Sequence, residues 1–232
     1  MFRYAVRTGR AERDPSADLK GALLSPTKKK HAAIIDPKKV TGLLKAIDGY
    51  QGSLVVKSAL QLAPMFFLRP GELRSAEWSE FDFAAAIWLI PAKKMKMKKD
   101  HIVPLSRQSI AILKDLQPLT GHRQYVFPSH RSPLRCMSNN AINAALRRMG
   151  FTGDEMTGHG FRAMARTILD EVLHVRKDFI EHQLAHAVKD PNGDAYDRTT
   201  HLDERKKMMQ LWSDYLEGLK AGAKGKPCKA NN

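Results

Sequence analysis

Residues 53–72 read SLVVKSALQLAPMFFLRPGE, and the organisation of the rest of the chain can be worked out from them. From about Ser53 to Phe67 the stretch is apolar nearly all round, so it reads as a helix, the central buried one. Such a helix needs other helices around it. Directly after it stands Arg69-Pro70-Gly71-Glu72, an arginine where the chain leaves the core, with a new helix expected from Pro70. Pairing between Arg69 and Glu72, three residues apart, is the plain alternative to a functional role for that arginine.

Upstream, Asp36-Pro37 supplies a cap and a first helical turn, and Val40, Leu43, Leu44 and Ile47 then recur at helical spacing. Before it, a weak helical pattern over 2–13 gives way to a break at Asp14–Asp18. The basic stretch Ser25-Pro26-Thr27-Lys28-Lys29-Lys30 then reads as a linker. Downstream, Ile87–Ile90 and His101–Leu105 are strand candidates for a small antiparallel sheet, with five lysines in the seven residues 93–99 between them. Strand alternation through that run would place Lys94, Lys96 and Lys98 on one face and turn Met95 and Met97 toward the core. Helices are expected at about 106–116, 138–149 (capped by Ser138), 160–173, 176–185 and 202–219, with 220–232 a basic tail. The fold class is mainly α with a small antiparallel sheet. The main domain spans 36–219, preceded by a lead-in over 1–35.

The 232 residues suit one substantial domain, and 43% hydrophobic content is enough for a core. The charge is 39 − 24 = +15, which implies a polyanionic partner. Apolar runs such as Ala84–Pro91 are far shorter than the ~18 residues of a membrane span, and no secretory leader opens the chain. Cys136 and Cys228 are too few and too far apart for a disulfide framework. Membrane protein, secreted scaffold and zinc-finger module are therefore disfavoured, and a cytoplasmic location is expected.

Two further polar clusters interrupt apolar patterns. In Gly158-His159-Gly160-Phe161-Arg162, His159 and Arg162 share one face of a helix start, beside amides that favour an anion. Leu184-Ala185-His186 is followed, beyond Pro191-Asn192-Gly193, by Tyr196. His182 and His186 stand four apart, but Gln183 occupies the place of the glutamate in a zinc motif and no third ligand is evident, so no metal is expected.

Arginine, lysine, His-x-x-Arg, histidine and tyrosine, in that order from Arg69 to Tyr196, resemble the catalytic domain of the tyrosine recombinases, the phage integrase family. The wording of Arg69–Leu73, Met95–Ser106, Thr157–Arg162 and Gln183–His186 is similar to that of prophage and genomic-island integrases of proteobacteria, and the likeness runs from about residue 31 to 219. The resemblance implies site-specific DNA recombination through a 3′-phosphotyrosyl intermediate. Tyr196 would be the nucleophile, with Arg69, Arg162 and His186 stabilising the transition state, His159 the base and Lys96 the acid. No cofactor and no metal is implied. The partners would be attachment sites in double-stranded DNA, a tetramer formed on them and accessory DNA-bending proteins, in the bacterial cytoplasm with the nucleoid. Lys94, Lys98, Lys99, Asn139, Asn140, Arg147 and Arg148 are candidate DNA contacts. Residues 1–35 would be the remnant of a core-binding domain and its linker, making the chain a catalytic-domain fragment. The alternatives are a non-catalytic DNA-binding remnant and a DNA-relaxing enzyme of type IB topoisomerase kind.

Overall fold

Helices begin where the sequence offers caps. The computed structural model describes residues 2–19, 31–186 and 201–222, and the chain divides into two units, Met1–Lys30 and His31–Asn232. The first unit contains α1 (Phe2–Arg7), shorter than the weak pattern over 2–13, and a helical turn at Ala17–Leu19.

In the second unit, α2 (Pro37–Asp48) starts at Asp36, whose carboxylate accepts the Lys38 N–H at 3.0 Å. It buries Val40, Leu43, Leu44 and Ile47. Helix α3 (Leu54–Phe66) is capped by the Ser53 hydroxyl, and its residues 58–60 and 62–66 are all buried. It is the central element, packed by α2, α5 (Arg107–Thr120), α6 (Ala141–Arg148), α7 (Gly160–Glu171) and α9 (Leu202–Lys220). Trp212 of α9, fully buried, donates its indole N–H to the Pro64 carbonyl at 2.8 Å. Among the described residues this unit also has two short helices, α4 (Pro70–Arg74) and α8 (Lys177–Gln183).

The sheet is antiparallel in the order β1 (Phe81–Asp82), β2 (Ile87–Ile90), β3 (His101–Pro104), with Trp88 opposite Val103 and Ile90 opposite His101. It rests on Trp88, fully buried between Phe81 (ring centroids 4.9 Å) and Phe66 (5.5 Å).

Three expectations are corrected. The lysine run does not continue a strand: Pro91 has no N–H for the ladder, and Ala92–Lys94 form a 3₁₀ turn. The Asp100 carboxylate accepts the Ala92 N–H at 2.7 Å and closes the loop. Alternation is therefore lost: Met95 is buried, Met97 is 48% exposed, and Lys94 points inward while Lys96 and Lys98 point out. Helix α6 begins at Ala141 with Asn140 as its cap residue, because Ser138 offers its carbonyl to Ala141 in a turn instead of capping with its hydroxyl. Helix α5 runs on to Thr120 with Pro118 inside it, while α8 stops at Gln183.

Candidate active site

The site is built where α3 ends. Phe67 terminates it in the left-handed conformation (φ 39°), one that costs a non-glycine residue roughly 1–2 kcal/mol. Complete burial and an edge-on contact with Trp212 hold it there. The turn exposes the Phe67 carbonyl to Arg162 and delivers Arg69 to the start of α4. Glu72, 4% exposed, accepts the Arg69 backbone N–H (2.9 Å) and its guanidinium (2.8 Å). The pairing anticipated as the plain alternative thus exists, and it aims the guanidinium while part of it remains open to solvent.

Arg162, in the first turn of α7, is 5% exposed. It donates to the carbonyls of Phe67 (3.1 Å) and Leu184 (2.8 Å) and meets His186 Nε2 at 3.0 Å. Burial, then the charge of Arg69, lowers its pKa to about 10, so it stays a cation at neutral pH. A guanidinium can only donate, so His186 Nε2 accepts and the ring proton sits on Nδ1. That proton is given to Glu181, 2.5 Å away, and Glu181 also takes Arg166 Nε at 2.7 Å. Burial alone would raise the Glu181 carboxyl, but the bonds from His186 and Arg166 outweigh it and hold the group below the usual range.

His159 stands at the N-terminal boundary of α7, in the turn Thr157–Gly160, its side chain making no capping bond. Asn143 of α6 accepts the Gly158 N–H at 2.8 Å, and Thr157 accepts the Gly160 N–H at 3.0 Å. Burial pushes the His159 pKa down to about 4, helped by the charges of His31, Arg162, Arg69 and His186. The ring is therefore neutral at pH 7 and able to take a proton. The segment holding His186 is clamped from behind: buried His101 donates to the Gln183 carbonyl (3.1 Å), and Arg205 donates to the Gln183 side chain (2.7 Å) and to the Ile102 carbonyl. Burial and the nearby arginine charges lower the His101 pKa to about 3.

Arg69, His159, Arg162 and His186 are thus brought together. Lys96 lies in the exposed loop between β2 and β3. Tyr196 falls in 187–200, outside the described residues. Lys94 is turned the other way from expectation: its ammonium, 13% exposed, sits between Glu77 (2.6 Å) and Glu80 (2.5 Å) and also donates to the Ser75 carbonyl. The other candidate DNA contacts, Lys98, Lys99, Asn139, Asn140, Arg147 and Arg148, are all exposed. Arg147 also donates to the carbonyls of Phe151 and Met156, and Arg148 to the Tyr50 hydroxyl at 3.4 Å. Among the described residues no group of three or more His, Cys, Asp or Glu could hold a metal ion.

Sequence reasoning missed Glu181, Asn143, His101 and His31. Glu181 left one trace, a carboxylate five residues before His186 and out of step with the buried face of its helix.

A helical body around a buried helix, a three-stranded sheet carrying a lysine loop, and two arginines meeting two histidines make up the fold of the tyrosine recombinase catalytic domain. The chain belongs to the phage integrase family, whose family model matches residues 33–198. It is 40% identical over 231 residues to the integrase of Enterobacteria phage P4, covering 94% of this chain and 52% of that protein. It is 36% identical over 220 residues to the prophage integrase IntA of Escherichia coli (strain K12), covering 95% of this chain and 52% of that protein. The chain therefore spans about half the length of the curated relatives it matches. A crystal structure of a lambda integrase tetramer bound to a Holliday junction has the same fold, with a TM-score of 0.59 at 17% identity over 83% of this chain and 56% of that one.

Proposed function

We propose that this chain is the DNA-cleaving and rejoining part of a site-specific recombinase acting through a 3′-phosphotyrosyl intermediate. One observation carries the reading: two guanidiniums with buried anchoring, Arg69 on Glu72 and Arg162 on backbone carbonyls, converge with two imidazoles where a phosphate could sit. In this mechanism the Tyr196 oxygen attacks the scissile phosphorus, the bond to the 5′-oxygen breaks, and a free 5′-hydroxyl leaves. His159 takes the phenolic proton and Lys96 protonates the departing 5′-oxygen. Arg69 and Arg162 neutralise charge gathering on the non-bridging oxygens, and His186 adds a donor once its Nε2 is released from Arg162 and protonated. Attack by a 5′-hydroxyl from the partner strand then reverses the step and frees Tyr196, so the bond energy is conserved.

In the whole protein the substrate is a pair of attachment sites in double-stranded DNA held by a tetramer, with accessory bending proteins as further partners, in the bacterial cytoplasm with the nucleoid. Residues 1–35 are read as the end of a core-binding domain and its linker, and 36–219 as the catalytic domain. Lys98, Lys99, Asn139, Asn140, Arg147 and Arg148 remain the proposed DNA contacts.

The test is covalent trapping on a nicked suicide duplex bearing an attachment site. The chain should give a covalent protein–DNA band, and Tyr196→Phe should abolish it with non-covalent binding nearly intact. A band that survives in Tyr196→Phe, carried by another tyrosine such as Tyr215, would overturn the assignment. Relaxation of site-free supercoiled plasmid would point to the topoisomerase alternative.

A further inference from the structure

The segment that enters the catalytic body runs along the turn carrying His159. The Ala32 carbonyl accepts the Thr157 hydroxyl at 3.3 Å, and the Ile34 N–H meets the sulfur of fully buried Met156 at 3.5 Å. The fit is close enough to exclude a side chain at residue 160: a Cβ on Gly160 would lie 2.2 Å from the Ala32 oxygen and 3.1 Å from the Met156 sulfur. With the segment fixed in this way, the imidazole of His31 lies over that of His159, ring centroids 4.2 Å apart at 37°.

We infer that His31 is a positioning residue for His159, its ring covering the second imidazole and fixing the face that this base presents to the site. The inference rests on the reading of His159 as the base that takes the tyrosine proton. A histidine that must accept a proton has to arrive neutral and in one orientation. His31 serves both needs: it removes water from one face of His159, and two imidazoles this close oppose each other's protonation. The groups facing His159 are His31 from the entering segment, Arg69 from the start of α4, Arg162 from α7 and His186 from the end of α8, with Glu72 and Glu181 behind the guanidiniums. All four groups that face His159 directly act to keep it neutral, burial being the largest influence and His31 the next. An incoming DNA phosphate, being an anion, would draw the basicity of His159 back up where it is needed.

The test uses the whole chain labelled with ¹⁵N-histidine, as wild type, His31→Phe and His31→Ala. In wild type the His159 ring should titrate below pH 5. His31→Phe keeps the cover but loses the second imidazole, and should move that titration up by about one unit. His31→Ala also opens the face to water and should move it further, toward the ordinary histidine value of about 6.5. In covalent trapping at pH 7.5, His31→Ala should be about tenfold slower. Its DNA affinity should stay within about twofold of wild type, and His31→Phe should trap at close to the wild-type rate. Identical His159 titrations in the three proteins would overturn the inference. So would trapping and affinity falling in proportion in His31→Ala, which would make His31 a DNA contact, or His31→Phe being as slow as His31→Ala. If wild type traps no DNA, the reading of the reaction fails while the His159 titrations still decide whether His31 positions that ring.

Discussion

The two lysines at 94 and 96 separate stability from chemistry. Burial alone would push the Lys94 ammonium down, but Glu77 and Glu80 outweigh it and hold it above the ordinary lysine value. Lys94 in turn holds the Glu77 carboxyl below its usual range, more than offsetting the burial that would raise it. A raised lysine stabilises the fold below its unfolded pKa and loses that contribution as pH rises through the folded one. A depressed carboxylate stabilises above its unfolded pKa and loses it as pH falls through the folded one. The cluster is therefore at full strength at neutral pH. Lys94→Ala leaves two half-buried carboxylates facing each other and should cost about 1–3 kcal/mol in urea unfolding at pH 7. Lys96→Ala should leave stability within about 0.5 kcal/mol of wild type. It should block trapping on an ordinary phosphodiester and be rescued by sulfur at the 5′-bridging position, since a thiolate leaves without a proton. Rescue of Lys98→Ala instead would move the acid by two residues. A second residue-scale expectation concerns Glu181. Glu181→Ala leaves His186 Nδ1 without its acceptor and the ring free to change tautomer or turn, and should slow trapping by about 10- to 100-fold with DNA affinity kept. Glu181→Gln can still accept from Nδ1 through its amide oxygen and should fall between the two. Equal rates in all three proteins would rule out a role for this contact.

At the scale of elements, β3, α8 and α9 are joined through His101, Gln183 and Arg205, and that joint is acid-sensitive. His101 has a folded pKa of about 3 against about 6.5 when unfolded. Between those values the unfolded chain binds the extra proton, so this contribution is complete above about pH 6.5 and is lost as pH falls toward 3. Urea midpoints should drop between pH 7 and pH 5, and His101→Gln, with no proton to gain, should flatten that slope even if it lowers the midpoint at pH 7. An unchanged slope would mean that His101 is charged or exposed in the fold. No local pattern announces this joint, because a histidine in a short strand looks like any strand residue until a carbonyl from α8 arrives beside it. The same holds for His31, far upstream of the ring it covers, and for Glu181, whose pairing with His186 depends on the left-handed turn at Ala185. What could be read in advance was local. Asp36 caps its helix as read from the sequence, and Arg69, His159, Arg162 and His186 stood out as polar residues breaking apolar patterns. The lysine loop was misread because Pro91 and Asp100 act across eight residues, a reach that strand alternation does not contain. Tyr196 is assigned by resemblance alone.

For the molecule as a whole, a formal charge of +15 sets how it should meet DNA, but only the uncommitted cations can release counterions. Many are committed. Arg69, Lys94, Arg166, Arg176, Lys177 and Lys220 pair with carboxylates, and Arg147 donates to backbone carbonyls. The exposed Lys96 and Lys98 beside β2 and β3 are among those left to meet phosphates. A footprint of about six phosphates gives a slope of roughly −5 in log affinity against log salt, a loss of about a thousandfold between 50 and 200 mM. Fluorescence anisotropy with a duplex of arbitrary sequence should show that slope. Lys98→Ala should make it shallower by about one unit, because it removes one phosphate contact. Lys94→Ala, assayed where it remains folded, should leave the slope unchanged, because its ammonium faces Glu77 and Glu80. A slope near zero would mean that the excess charge lies away from the DNA. A slope altered by Lys94→Ala and not by Lys98→Ala would mean that the loop rearranges on binding and turns Lys94 out from its carboxylates.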